Sequence, residues 1–184
     1  KTLLEMLGDR KYKIPDDVKD LNIQHFIAQY ENNEIDITLD NMYVRFFEED
    51  KSFAKNDLKN NYAEIVEEHG DTINIIIIIK DKIASAVRTE LEKNTYKNLE
   101  IFTHNELIFN ITKNYLVPKH ILLNEEEKQE VYKKYKMKNN DNFQQILVTD
   151  PVSKYYAMNV GDLCKIIRSS PSSGLGISYR AVRN

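Results

Sequence analysis

Cysteine is nearly absent: Cys164 is the only one in 184 residues, so no disulfide can form within the chain. A lone thiol fits a reducing compartment, and an intracellular protein is the expectation. Glycine is sparse too, and five residues leave little material for a phosphate-cradling loop. No stretch reaches the roughly 18 consecutive apolar residues a membrane span needs; Ile75–Ile79 is apolar but only strand-length. No secretory leader is read at the start, which opens on Lys1 rather than Met, so leading residues are expected to be missing. His25, His69, His104 and His120 lie far apart, and none stands at metal-ligand spacing from another His or from Cys164. Ser169, Ser170, Ser172 and Ser173 lack the Gly-x-Ser-x-Gly turn that exposes a nucleophile. Cys164 sits in an alternating pattern and reads as a small buried hydrophobe. No metal, no cofactor, no membrane and no small-molecule substrate are expected.

What is present is charge, 30% of residues, beside 41% hydrophobic, enough for one domain or two small ones. It is unevenly shared. Lys1 to Leu107 carries 14 Lys/Arg against 22 Asp/Glu, a net of −8; Ile108 to Asn184 carries 12 against 7, a net of +5. Such asymmetry suggests two units with different neighbours, although two solvated surfaces would read the same way.

Periodicity sorts the first half into an α/β pattern. Leu3, Leu4, Met6 and Leu7 mark a helix that breaks near Gly8, and Pro15 precedes a second short helix from Leu21 to Tyr30. Ile35, Ile37 and Leu39, then Tyr43, Arg45 and Phe47, alternate around Asp40-Asn41 as a hairpin. Leu58, Tyr62, Ile65, Val66 and His69 follow helical spacing and stop at Gly70. Ile73 to Ile79 does not alternate, which predicts a strand buried on both faces. A helix through Ile83, Val87 and Leu91 and a strand near Leu99 to Phe102 follow.

The pattern changes near Thr103. Thr103 with Glu106 and Asn124 with Glu127 have capping-box spacing, and Asp150-Pro151 starts a helix expected to end near Met158. Val160-Gly161 turns into a strand from Leu163 to Arg168, a loop spans Ser169 to Gly174, and a last strand runs from Ile177 to Val182. The fold class is therefore α+β, with an α/β domain over residues 1–107 and a small α+β domain over residues 108–184.

Two nucleic-acid readings are weighed. A two-metal nuclease needs paired carboxylates and a lysine. Asp36 with Lys80-Asp81-Lys82 imitates that set, but the position two before Lys80 is Ile78, which cannot bind a metal. Phosphate contact without chemistry asks less: Lys80 and Lys82, near Arg88, gather where a strand meets a helix. A solvated helix start reads identically.

From Ile101 onward the chain resembles the fifth subunit shared by nuclear RNA polymerases, a family with an archaeal counterpart. The resemblance rests on Asn105 to Thr112, Leu116-Val117-Pro118-Lys119-His120, Thr149 to Tyr156, Gly161, Lys165-Ile166-Ile167-Arg168, Ser170, Ser172, Gly174 and Tyr179-Arg180-Ala181-Val182. Looser matches at Lys1 to Leu7, Phe46 to Glu49 and Ser85-Ala86 extend it over essentially the whole chain. It implies a non-catalytic N-terminal jaw domain of restriction-endonuclease-like fold lying near downstream DNA. It implies a C-terminal assembly domain docked on the largest polymerase subunit and the rest of the core, with magnesium held by other subunits. The implied assembly residues are Pro118, His120, Asp150, Pro151, Lys154, Tyr155, Gly161, Lys165, Arg168, Ser170, Tyr179 and Arg180, with Tyr179 and Arg180 as an anchor pair. Near the DNA it implies Lys80, Lys82, Ser85 and Arg88. This copy departs from the family at Phe143 to Ile146, at Ser170 to Gly174 and at Ile83 to Ala86, losing prolines from two turns. Such drift suggests a divergent source, an AT-rich protist or a large DNA virus, placing the protein in a nucleus or in a virion or virus factory.

Overall fold

The computed structural model describes residues 1–16, 36–39, 41–47, 52–80, 82–93, 95–96, 98–170 and 174–184. Two compact units divide the chain, Lys1–Phe109 and Asn110–Asn184. Each is built on its own four-stranded sheet within a mixed α+β architecture.

The first unit runs α1 (Thr2–Asp9), β1 (Ile37–Leu39), β2 (Met42–Phe47), α2 (Lys55–His69), β3 (Asn74–Ile79), α3 (Ser85–Glu92) and β4 (Leu99–Thr103). Its sheet has the order β1-β2-β3-β4, with β1 antiparallel to β2 and the other neighbours parallel. Ile75 to Ile79 are each buried to within about 1% of complete. No polar residue interrupts the run because neither face of β3 meets water. Ile75, Ile77 and Ile79 pack with Leu58 and Ile65 of α2 and Val87 of α3. The two successive parallel crossovers place both helices on that face. On the opposite face, α1 buries Leu3, Met6 and Leu7. The Arg10 guanidinium holds Glu100 of β4 through two hydrogen bonds of 2.8 and 2.7 Å and lies over the Phe102 ring.

Local chemistry sets the ends of these elements. Ala54 has no side chain to cap α2, but its N–H donates to the Asp57 carboxylate at 3.0 Å. Gly70 stops the same helix at φ +88°. α3 begins two residues later than Ile83 suggested, because Ile83 is engaged in a bridge to Phe53 ahead of the helix. The helix expected from Leu21 to Tyr30 lies outside the described residues, as do Ile35 and Asp40 of the hairpin.

The second unit runs β5 (Lys119–Leu122), α4 (Glu125–Tyr135), β6 (Gln144–Leu147), α5 (Pro151–Tyr155), β7 (Leu163–Ser170) and β8 (Gly174–Arg183), preceded by a short 3-10 turn at Ile111–Lys113. The sheet order is β5-β7-β8-β6, antiparallel except for the β6–β8 pair. Leu163 and Ala181 pack with Val131 of α4, while Cys164, Ile166 and Val182 pack with Ile146 and Met158 on the other side. Both capping boxes form: Glu106 accepts from the Thr103 N–H at 2.8 Å, and Asn124 and Glu127 exchange bonds of 2.9 and 2.8 Å.

Two expectations need correcting. α5 ends at Tyr155, not near Met158, because Ala157 takes φ +51° and turns the chain out of the helix. Of the expected loop from Ser169 to Gly174, Ser169, Ser170 and Gly174 are strand, Ser169 pairing with Leu175 and Ser170 with Gly174, while residues 171–173 lie outside the described residues. A loop-like composition there yields to the ladder formed with β8.

Replacing Ile77 by alanine is expected to cost about 2–5 kcal/mol in a denaturant titration, since nothing around β3 can collapse into the space. Gly161→Ala is expected to cost about 1–3 kcal/mol by the same measurement. A Cβ there would meet no atom within 4 Å, so the cost comes from φ +97° rather than from a clash.

Candidate functional site

The residues expected to form an assembly surface do not share one surface. Successive side chains on a strand face opposite ways. Lys165 on β7 is paired with Tyr179 on β8, and both lie on the α4 side of the sheet. Tyr179 meets Phe143 and Tyr135 at ring-centroid distances of 6.3 and 5.6 Å, under the end of α4. His120, Arg168, Ser170 and Arg180 belong to the other face, with Cys164 and Ile166. Tyr179 and Arg180, expected as an anchor pair, therefore point to opposite faces of β8.

The opposite face is shaped by α5 and the segment before β5. Asp150 caps α5, its Oδ1 accepting from the Val152 N–H at 2.8 Å, and Pro151 takes the first helical position. Tyr155 is 4% exposed and its hydroxyl accepts from Asn110 Nδ2 at 2.9 Å, so it fixes α5 from inside the unit. Lys154 is half-buried beside it. Pro118 offers its carbonyl to His120 Nδ1 at 2.7 Å, which places the ring hydrogen on Nδ1. His120, Pro118, Tyr115, Lys113 and Tyr156 line a cleft of about 410 Å³. Gly161 makes the turn into β7, and its carbonyl accepts from Asn140 Nδ2 at 2.7 Å.

In the first unit, Lys80, Lys82, Ser85 and Arg88 are all exposed where β3 ends and α3 begins. Backbone bonds tie the segments entering the two helices: Phe53 N–H donates to the Lys82 carbonyl at 3.0 Å, and Ala84 N–H to the Phe53 carbonyl at 3.1 Å. The structure thus gathers these four at one end of the sheet, where parallel strands present their carboxyl ends.

Asp81 of the nuclease imitation lies outside the described residues, and the described ones do not assemble a metal clamp. Ile78 is 1% exposed and belongs to the core. Asp36, just ahead of β1, accepts from the Tyr43 hydroxyl and from Arg45 Nε at 3.3 Å. Arg45 also reaches Glu64 at 2.7 Å. A carboxylate already held by a phenol and a guanidinium is poorly placed to take a cation as well. Burial pushes the Tyr43 phenol above its ordinary value, and the bond to Asp36 acts in the same direction. Among the described residues, no three His, Cys, Asp or Glu side chains gather as a metal site would require.

Sequence reasoning missed two features. The Arg45 network joins residues far apart in the chain, and no local spacing announces it. The second concerns β5 to β8, whose strands carry Lys119, Lys165, Arg168, Arg180 and Arg183 and not one Asp or Glu. Counting charge by half-chain hid this, because the Glu residues of α4 offset it.

Comparison with known proteins fits this geometry. The family described as "RNA polymerase Rpb5, C-terminal domain" matches residues 109–182, nearly all of the second unit. A Dictyostelium discoideum protein named DNA-directed RNA polymerases I, II, and III subunit rpabc1 is 34% identical, covering 98% of this chain and 93% of its own length. A Caenorhabditis elegans protein of the same name is 31% identical, covering 99% and 92%. An Arabidopsis thaliana protein named DNA-directed RNA polymerases IV and V subunit 5B is 26% identical, covering 99% and 87%.

The buried Cys164 thiol is open to a direct chemical test. Burial pushes its thiol up to about 11, so the folded chain should resist alkylation at pH 8 and react once unfolded. Because this value is raised above the unfolded one of about 8.5, its share of stability is present below that pH. That share is lost as pH rises towards about 11, which thermal melts across an alkaline series would register.

Proposed function

The chain belongs to the Rpb5 family of RNA polymerase subunits, and on that premise we propose that it is a non-catalytic subunit of a multisubunit DNA-dependent RNA polymerase. The observation that carries this is similarity over the whole chain: 34% identity across 98% of it to a relative bearing that name. In this reading the second unit docks on the largest polymerase subunit. Its capped helix, glycine turn and antiparallel β7–β8 pair supply the rigid shape that docking needs. The first unit is a jaw of restriction-endonuclease-like fold. Its hairpin, parallel strands and connecting helices support that assignment, and Asp36 tied to Tyr43 and Arg45 supports its lack of chemistry.

Downstream DNA lies near the jaw, with Lys80, Lys82, Ser85 and Arg88 as the residues facing it. These exposed groups make phosphate contacts that carry no sequence information. The chain takes no cofactor, and the magnesium used in nucleotide addition is held by other chains. Its place is the nucleus where the polymerase is cell-encoded, and the virion or a virus factory where it is virus-encoded.

The native complex tests this directly. Purified through the full chain, it is expected to contain the chain at fixed stoichiometry with a very large subunit, read by native mass measurement. Recovery as a monomer with no such partner overturns the proposal. So does magnesium-dependent DNA cleavage by the chain that Asp36→Ala abolishes.

A further inference from the structure

β7 and β8 pair from Leu163↔Ala181 to Ser170↔Gly174, but their outer neighbours stop early. β5 meets β7 only at Cys164 to Ile167, and β6 meets β8 only at Arg180 to Arg183. From Gly174 to Tyr179, no strand among the described residues occupies the outer edge of β8. Ile177 to Tyr179 still have β5 beyond β7, but Gly174 to Gly176 with Arg168 to Ser170 form a two-stranded ribbon, a form marginal in water without further cover. The edge also shows apolar side chains: Leu175 is 69% and Ile177 is 53% exposed, both on the face of Tyr179.

Edge strands in soluble proteins are usually blunted by a lysine, a proline, a bulge or a covering element. The β5 edge follows that rule, with Pro118 and Lys119 at its start. The β8 edge does not. Gly174-Leu175-Gly176-Ile177-Ser178-Tyr179 holds no charge and no proline, and its register with β7 is unbroken. An unprotected row of backbone donors and acceptors beside alternating apolar side chains is a template for strand addition.

We propose that this edge accepts an extended segment of a partner protein, apolar where it meets Leu175 and Ile177 and bearing a carboxylate where it meets Arg168. The acid-free sheet decides the chemistry of the occupant. The edge itself is uncharged, and Arg168 across Gly176 within the acid-free sheet favours an acidic partner over a second copy that brings only further cations. Arg168 lies across Gly176, its Cγ 3.6 Å from where a Cβ would stand, so its charged end is held beside the ladder. Six edge residues span about 20 Å and match a partner strand of about six. This rests on the subunit reading above, with the partner segment supplied by the polymerase.

The experiment compares amide hydrogen exchange over 174–179 in the full chain alone and in the purified polymerase. Slowing of roughly tenfold or more on assembly is expected. Leu175→Asp with Ile177→Asp should leave the melting temperature of the free chain unchanged, both sites being exposed, while recovery in the polymerase falls by about tenfold or more. Normal assembly with the edge exchanging as in the free chain overturns this inference and leaves the subunit reading intact. Failure of the unaltered chain to enter any polymerase overturns both. Protection produced by duplex DNA alone, or by dimerisation of the free chain, replaces the occupant and overturns the assignment.

Discussion

A strand side chain points to one face or the other, and its neighbour in sequence points away. That constraint organises both units, through opposite solutions. β3 has apolar residues at every position because α1 covers one of its faces and α2 and α3 cover the other. β7 alternates between two different cores, Leu163 joining the α4 side and Cys164 and Ile166 the α5 side. Burying a branched aliphatic side chain contributes on the order of 1.5–3 kcal/mol, so a one-residue slip of either strand would forfeit several such contributions.

The same constraint governs electrostatics. The second unit concentrates its acids on α4 and in loops, where Glu125, Glu126 and Glu127 favour the helix N-terminus and Lys133 and Lys134 favour its last turn. Its strands are left with cations alone. Isolated surface charges contribute little to stability, so this sorting is not what holds the fold together. The first unit behaves differently. Arg45, Asp36, Tyr43 and Glu64 satisfy one another internally, and Arg10 and Glu100 fasten α1 to β4.

Much of the fold was legible in the residues. The isoleucine run announced a strand covered on both faces, Gly70 announced a helix stop, and the spacings Thr103–Glu106, Asn124–Glu127 and Asp150-Pro151 announced caps that the structure contains. These signals are local, and each depends on backbone chemistry within four residues. The reach of β7 and β8 towards each other was not legible, because Ser169 to Gly174 has the composition of a loop. Pairing with a partner strand outweighs such a weak local preference.

The sequence by itself determined the family, the order of most elements, the helix caps and the absence of a metal-ligand pattern, all properties of residue type and spacing. Only the tertiary structure decided which residues meet. It buried Tyr155 and sent Tyr179 and Arg180 to opposite faces. It tied Asp36 to Arg45 and, among the described residues, set no strand on the outer edge of β8 beside Leu175 and Ile177. These facts depend on strand register and on packing between distant segments, which spacing along the chain does not encode.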